Sequence, residues 1–142
     1  MTPALDPRTI AVGDELPPLV KGPVTREMLK AYAAASGDPN PMHTDDEFAR
    51  NAGHPSVFAH GMLSMGWLGE LLVRAGGVGS IRRFGTRFAK LTWPGELITC
   101  RGRVTRVTDE HGVRLVDCEI WTENQEGERK LVGSASLALP AA

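Results

Sequence analysis

Apolar residues recur at helical intervals through the first half of this chain. Four of them follow that spacing within residues 26–36: Met28, Leu29, Tyr32 and Ala33. Thr25 stands directly before this segment and can cap a helix, so we predict a helix over residues 26–36. A shorter helix is predicted over residues 46–51. Residues 62–73 are apolar on almost every side, a pattern that is typical of a buried helix.

The second half of the chain alternates between apolar and polar residues. This alternation predicts four strands, over residues 83–91, 97–107, 113–122 and 131–139. The segment Asp109-Glu110-His111-Gly112 indicates a hairpin turn, and a further edge strand is expected within residues 9–24. Short links between successive strands predict an antiparallel meander. A buried helix followed by such a sheet indicates an α+β fold.

Length and charge narrow the classes of function. A chain of 142 residues suits one domain, which we place at residues 9–142 after a loose N-terminal tail at residues 1–8. The net charge of −1 and the lack of a long basic run argue against nucleic acid as a partner. No apolar run approaches the ~18 residues of a membrane helix, and the N-terminus lacks the pattern of a secretory signal. We therefore expect a cytoplasmic protein without a membrane partner.

The two cysteines, Cys100 and Cys118, fall in separate predicted strands and match no metal-binding spacing. In a cytoplasmic protein, isolated cysteines of this kind are usually small buried residues with free thiols. We therefore predict two buried thiols, and we predict no metal site from the cysteines or from the rest of the sequence.

A rigid polar turn, Gly37-Asp38-Pro39-Asn40-Pro41, follows the first predicted helix. Its prolines fix φ near about −65° and remove two backbone donors, so the turn presents Asp38 and His43 in a set geometry. One interpretation is structural: Asp38 caps the backbone of the turn, and His43 begins the next helix. The other is chemical, because a carboxylate and an imidazole on a stiff loop can perform general acid–base catalysis.

Two segments of the sequence resemble a known family. The segment SGDPNPMH, which ends at His43, is similar to the hydratase-2 motif of the MaoC-like family, and Ala59-His60-Gly61-Met62 is similar to that family's AHGM segment. Met42 stands where the family usually has leucine, isoleucine or valine. The resemblance extends from Val12 to the last predicted strand. It implies a single hot-dog fold, in which a curved antiparallel β-sheet wraps around a central buried α-helix.

The resemblance also implies a reaction and a set of site residues. The family adds water to trans-2-enoyl thioesters or removes it from (R)-3-hydroxyacyl thioesters, and by this resemblance Asp38 and His43 handle the protons. Gly61 is the candidate oxyanion-hole donor, because it begins the predicted buried helix, where backbone N–H groups are free. Asn40 and His60 are expected to support the site, Asn40 by stabilising the turn or orienting a catalytic side chain, and His60 by capping the helix or by a local hydrogen bond.

The resemblance implies no cofactor except the carrier of the acyl group, which is coenzyme A or the phosphopantetheine arm of an acyl carrier protein. Four basic side chains could bind the phosphates of that carrier, or could form a solvated strand face: Arg82, Arg83, Arg87 and Lys90. The family pairs two hot-dog units into one continuous sheet. The resemblance therefore implies a homodimer, or a heterodimer with another hot-dog subunit, and leaves the acyl chain open.

Two other functions are compatible with a hot-dog fold, because one fold can serve several functions. The first is a non-catalytic subunit that shapes the acyl tunnel of a partner. The presence of both Asp38 and His43 argues against it, since a scaffold requires neither. The second is an acyl-CoA thioesterase, which would release a free thiol. We favour the hydratase or dehydratase, and we therefore predict an enzyme of the hydro-lyase class.

Overall fold

The computed structural model describes residues 2–140, and within this range four helical segments precede the long strands. They are α1 (Arg26–Ser36), a 3₁₀ turn (Pro41–His43), α2 (Asp46–Asn51) and α3 (Gly61–Gly76). The hydroxyl of Thr25 accepts the Met28 N–H at 3.1 Å and so caps α1, as predicted. All three predicted helices are confirmed. None of the helices in the described range is long and apolar enough to cross a membrane.

Five strands within residues 2–140 form one antiparallel sheet, in the order β1-β3-β4-β5-β2. They are β1 (Leu19–Lys21), β2 (Ile81–Phe88), β3 (Ile98–Glu110), β4 (Val113–Glu123) and β5 (Arg129–Pro140). The meander is confirmed for β3, β4 and β5, but it is wrong for β2, which pairs with β5 rather than with β3. The link at residues 89–97 is long enough to cross the three strand spacings between β2 and β3, about 14 Å.

The core lies between α3 and the inner face of the sheet. Its fully buried members include these residues of α3 and of three strands: Leu68, Leu71, Leu72, Ile98, Cys100, Ile120 and Leu137. Cys100 and Cys118 are buried free thiols, as predicted, and burial raises the pKa of each to about 12. An antiparallel sheet packed against a central helix is the predicted α+β architecture, a hot-dog fold.

The N-terminal residues differ from the loose tail that the sequence predicts for residues 1–8. The N–H groups of Ala4 and Leu5 donate to the carbonyls of Arg74 and Ala75, each at 2.9 Å. These carbonyls belong to the last turn of α3, which has no intrahelical donors for them. The side chain of Leu5 joins the core, with 8% of the residue exposed. Residues 2–8 are therefore an ordered part of the domain; Met1 lies outside the described residues.

Candidate active site

The turn between α1 and the 3₁₀ turn holds Asp38 at the surface. Gly37 caps the C-terminus of α1, and its φ of +74° is one that glycine adopts without strain. Asp38 Oδ1 accepts the Asn40 N–H at 3.3 Å, and Asn40 Oδ1 accepts the Met42 N–H at 3.1 Å. Asp38 thus forms an Asx-type turn, while its side chain stays exposed. Asn40 caps the 3₁₀ turn and stabilises it.

His43 is buried, and one of its ring nitrogens is anchored to the backbone. Its Nδ1 lies 2.7 Å from the carbonyl oxygen of Phe58. A carbonyl can only accept a hydrogen bond, so Nδ1 is the protonated nitrogen that donates. In the neutral ring, Nε2 therefore keeps its lone pair. This tautomer is assigned from the hydrogen bond, and it makes Nε2 of His43 the atom that can accept a proton.

His60 stacks on His43, with ring centroids 3.8 Å apart and an interplanar angle of 26°. Its Nε2 lies 3.3 Å from the backbone carbonyl of Asp38, a partner 22 positions away. His60 is the N-cap residue of α3, as expected, but its side chain makes no cap hydrogen bond and its side-chain partner is not local. The Nδ1 atom is buried and has no hydrogen-bond partner within residues 2–140. Burial, and then the neighbouring His43, lower the pKa of His60, so its ring remains neutral at neutral pH.

The structure brings the carboxylate and the two imidazoles together. One oxygen or nitrogen atom from each of Asp38, His43 and His60 lies within 4.8 Å of the others. An imidazole lone pair lies in the plane of its ring, so two stacked rings direct their lone pairs side by side rather than at one point. This arrangement suits proton transfer better than the chelation of a single metal ion.

Gly61 is the first residue of α3 and follows His60 directly. Its N–H is one of the four that a helix leaves without an intrahelical acceptor. No acceptor within residues 2–140 takes this N–H as a hydrogen-bond donor. A Cβ atom at this position would lie 2.8 Å from the ring of Phe88, at the end of β2. A side chain at position 61 would therefore have to displace the exposed ring of Phe88.

The four basic side chains predicted to bind the carrier do not form one cluster. Two lie near the start of β2, and two lie near or just beyond its end: Arg82 and Arg83, then Arg87 and Lys90. Because a strand rises about 3.3 Å per residue, the two pairs are roughly 15–20 Å apart. The structure brings only the second pair to the end of β2 that packs against Gly61. Their role in carrier binding stays a prediction.

Two contacts of the site were not part of the sequence prediction. The ring of Tyr32 lies edge-on to His60, with centroids 4.8 Å apart. Helical spacing predicts that the side chain of Tyr32 lies on the inward face of α1. The same spacing does not predict that this side chain contacts His60. The Phe58 carbonyl that anchors His43 has no signature in the sequence, because every residue carries a backbone carbonyl.

The family of this chain follows from comparison with known families. A model of the MaoC like domain matches residues 10–125. The chain belongs to the MaoC-like domain family. The structure of this MaoC-like domain is similar to that of an (R)-hydratase from A. caviae involved in PHA biosynthesis, with a TM-score of 0.82 and 27% sequence identity. That similarity covers 94% of this chain and 99% of the other.

Two further comparisons involve proteins of Mycobacterium tuberculosis. The 3-hydroxyacyl-thioester dehydratase Y is 39% identical over 79 residues, which cover 53% of the MaoC-like domain and 27% of that protein. One chain of the ChsH1–ChsH2 complex shares the fold, with a TM-score of 0.80 at 22% identity over 92% of this chain and 99% of that chain. The MaoC-like domain spans about a quarter or less of the length of such curated dehydratases, hydratases and fatty acid synthase subunits.

Proposed function

We propose that this MaoC-like domain catalyses the reversible hydration of trans-2-enoyl thioesters to (R)-3-hydroxyacyl thioesters. The observation that carries the proposal is the position of the Asp38 carboxylate beside His43, whose Nδ1 is committed to a carbonyl. A carboxylate and an oriented imidazole are the groups that acid–base catalysis requires. The similarity to an (R)-hydratase supports the same reaction.

The Asp38–His43 pair can balance the protons of hydration by itself. A water molecule adds its oxygen to C3 and gives one proton to the pair, and the pair returns one proton to C2. His43 suits the first step because its Nε2 has a free lone pair. His60 remains neutral, so no second positive charge opposes the protonation of His43. Asn40 maintains the turn that orients Asp38.

Gly61 supplies the electrostatic part of the proposed mechanism. Negative charge develops on the thioester oxygen when water attacks C3, and a preorganised N–H donor stabilises that charge. The Gly61 N–H lies at the N-terminus of the 16-residue helix α3. The dipole of such a helix is equivalent to about half a positive charge at this end. The N–H and the dipole therefore favour the enolate-like intermediate together.

The carrier of the acyl group completes the proposed substrate. We propose that the carrier is coenzyme A or a phosphopantetheine arm, and that the reaction needs no other cofactor. We propose the cytoplasm as the location of the protein. Arg87 and Lys90 lie at the end of β2 that packs against Gly61, so they are the candidates for contact with phosphates of the carrier.

An assay with crotonyl-CoA tests the proposed function. We expect the absorbance of the enoyl thioester to fall without release of free thiol, and the product to be the (R)-3-hydroxybutyryl thioester. Release of thiol would instead indicate a thioesterase. Unchanged absorbance with every enoyl chain length, on both coenzyme A and carrier protein, would indicate a non-catalytic subunit. Either of these results would contradict the proposal.

We also propose that two hot-dog units pair through β2. In the sheet of residues 2–140, β2 is an edge strand, so one side of it has no neighbouring strand. Phe88, at the end of β2, is 54% exposed, and Met62 beside Gly61 is exposed as well. A second unit would cover these side chains next to the site and enclose the acyl chain. A chain with this fold occurs in a complex in the ChsH1–ChsH2 structure, which supports pairing.

Light scattering on an active sample at micromolar concentration should give about twice the chain mass of 15.3 kDa. Phe88→Asp places a charge at the proposed interface and should shift the mass toward that of one chain. Val78→Asp is the matched control, because Val78 is 93% exposed at the opposite end of α3 and should not alter the mass. A mass near 15.3 kDa for a sample that hydrates crotonyl-CoA would contradict pairing.

A further inference from the structure

One peptide group links His43 to the loop between β2 and β3. The peptide between Phe58 and Ala59 accepts the His43 Nδ1–H at 2.7 Å through its carbonyl. The N–H of the same peptide donates to the carbonyl of Thr92 at 2.8 Å. The orientation of this peptide therefore sets where the hydrogen-bond acceptor for His43 lies, and Thr92 holds that orientation from the other side.

A second peptide group continues the chain of hydrogen bonds. The carbonyl of Thr92 belongs to the peptide whose N–H comes from Trp93. That N–H donates to Oε1 of Glu96 at 2.7 Å. All of these N–H groups point the same way, from His43 through two peptides to a carboxylate. Hydrogen bonds aligned in one direction polarise each other, and the negative charge at the end strengthens the acceptor at the start.

The carboxylate that ends this chain is held in a largely buried ionic cluster. The Glu96 side chain is 12% exposed, and its Oε2 contacts Nζ of Lys130 at 3.1 Å and Nδ2 of Asn124 at 2.7 Å. Lys130 is 2% exposed and also contacts Oε1 of Glu128 at 2.8 Å and the Leu91 carbonyl at 2.8 Å. The three ammonium protons thus have three acceptors. Of the two carboxylates on Lys130, the chain to His43 includes only Glu96.

We infer that Glu96 is a positioning residue for His43, which acts through the peptide groups of residues 58–59 and 92–93. Its charge polarises these peptides and makes the Phe58 carbonyl a stronger acceptor. The stronger acceptor keeps the proton of His43 on Nδ1 and leaves Nε2 free for proton transfer. The Lys130 ammonium holds the Glu96 carboxylate in place. The effect on catalysis rests on the proposed hydratase function, whereas the effect on the tautomer does not.

Two isosteric variants test this inference, Glu96→Gln and its matched control Glu128→Gln. Each removes one carboxylate partner of the Lys130 ammonium, but only Glu96 belongs to the series of hydrogen bonds that leads to His43. Glu128 also pairs with Lys90 at 3.0 Å, so the comparison rests on kcat and on the His43 tautomer rather than on KM. We expect Glu96→Gln to lower kcat about tenfold with little change in KM, by analogy with the loss of a hydrogen-bond partner that orients a metal-bound histidine. NMR of ¹⁵N-labelled histidine should show His43 with more of the Nε2–H tautomer. Glu128→Gln should change neither kcat nor the His43 tautomer.

A double variant separates this role from simple stabilisation of the loop. Glu96→Gln with Lys130→Met removes both members of the buried pair, so it leaves no buried charge to destabilise the fold. The inference predicts that the double variant regains thermal stability but keeps the low kcat and the altered His43 tautomer. If kcat and the His43 tautomer returned to wild-type values together with thermal stability, the inference would be overturned. Equal effects of Glu96→Gln and Glu128→Gln on kcat and on the tautomer would also overturn it. If the wild-type protein hydrates no enoyl thioester, the proposed function fails, and the tautomer comparison still decides the inference.

Discussion

Replacing Asp38 with asparagine, or His43 with asparagine, should lower the turnover of enoyl thioesters by about 100-fold or more, the usual scale for a positioned acid or base. Asp38→Asn keeps Oδ1 as the acceptor for the Asn40 N–H, so the turn is preserved while the basic carboxylate is lost. His43→Asn places an amide nitrogen near the position of Nδ1, which preserves the donor to the Phe58 carbonyl. Only the proton-accepting Nε2 disappears.

Steady-state kinetics on folded protein checks this expectation, with thermal unfolding as the control for stability. His60→Gln is the informative comparison, because His60 stacks on His43 yet donates its Nε2–H to a backbone carbonyl. We expect His60→Gln to lose less turnover than either of the other variants. Wild-type turnover in folded Asp38→Asn or His43→Asn would show that the replaced residue takes no part in proton transfer. A larger loss in His60→Gln than in the other two variants would assign the proton transfer to His60.

Gly61→Pro should lower kcat by about 100- to 1000-fold, the loss that follows removal of one oxyanion-hole donor. Proline has no N–H, and the first position of a helix tolerates it because that N–H has no intrahelical partner. The preceding residue, His60, has φ −59° and ψ 133°, an extended conformation that a following proline accepts. The backbone can therefore lose this one proton while α3 keeps its start.

Gly61→Ala is the matched control for the proline variant. Both variants add a Cβ atom, and an ideal Cβ at this position lies 2.8 Å from the Phe88 ring, so both displace that ring; proline adds two further ring carbons. Alanine keeps the N–H, so the ratio of the two kcat values sets an upper limit on the contribution of the donor. Equal losses in the two variants, each with α3 intact by circular dichroism, would show that packing against Phe88 accounts for the effect and that the N–H does not.

Local features of the chain were readable from the sequence because their causes lie within a few positions. Thr25 and Gly37 bound α1 since a cap and a left-handed exit need only the adjacent backbone. The periods of apolar residues placed α3 and the long strands for the same reason. The resemblance of the motif to the MaoC-like family singled out Asp38 and His43, and the two prolines of the turn indicated that these side chains are presented in a set geometry.

The tertiary structure alone decided which distant segments meet. The link after β2 carries the next strand to the far side of β4 and β5, so local patterns did not reveal that β2 pairs with β5. The N-terminal residues join the domain because the last carbonyls of α3 need donors, a requirement that arises only when the two ends approach.

The surroundings of His43 were also decided by the tertiary structure. His43 lies 53 positions before Glu96, and their connection runs through backbone groups that every residue type carries. The stacked His60 and the buried Lys130 reach the same region from α3 and β5. The sequence by itself determined the helices, the long strands and the turn that carries Asp38 and His43, the pair that we propose handles the protons. Only folding determined what orients that pair, because the groups involved carry no residue-specific signal and are far apart in the chain.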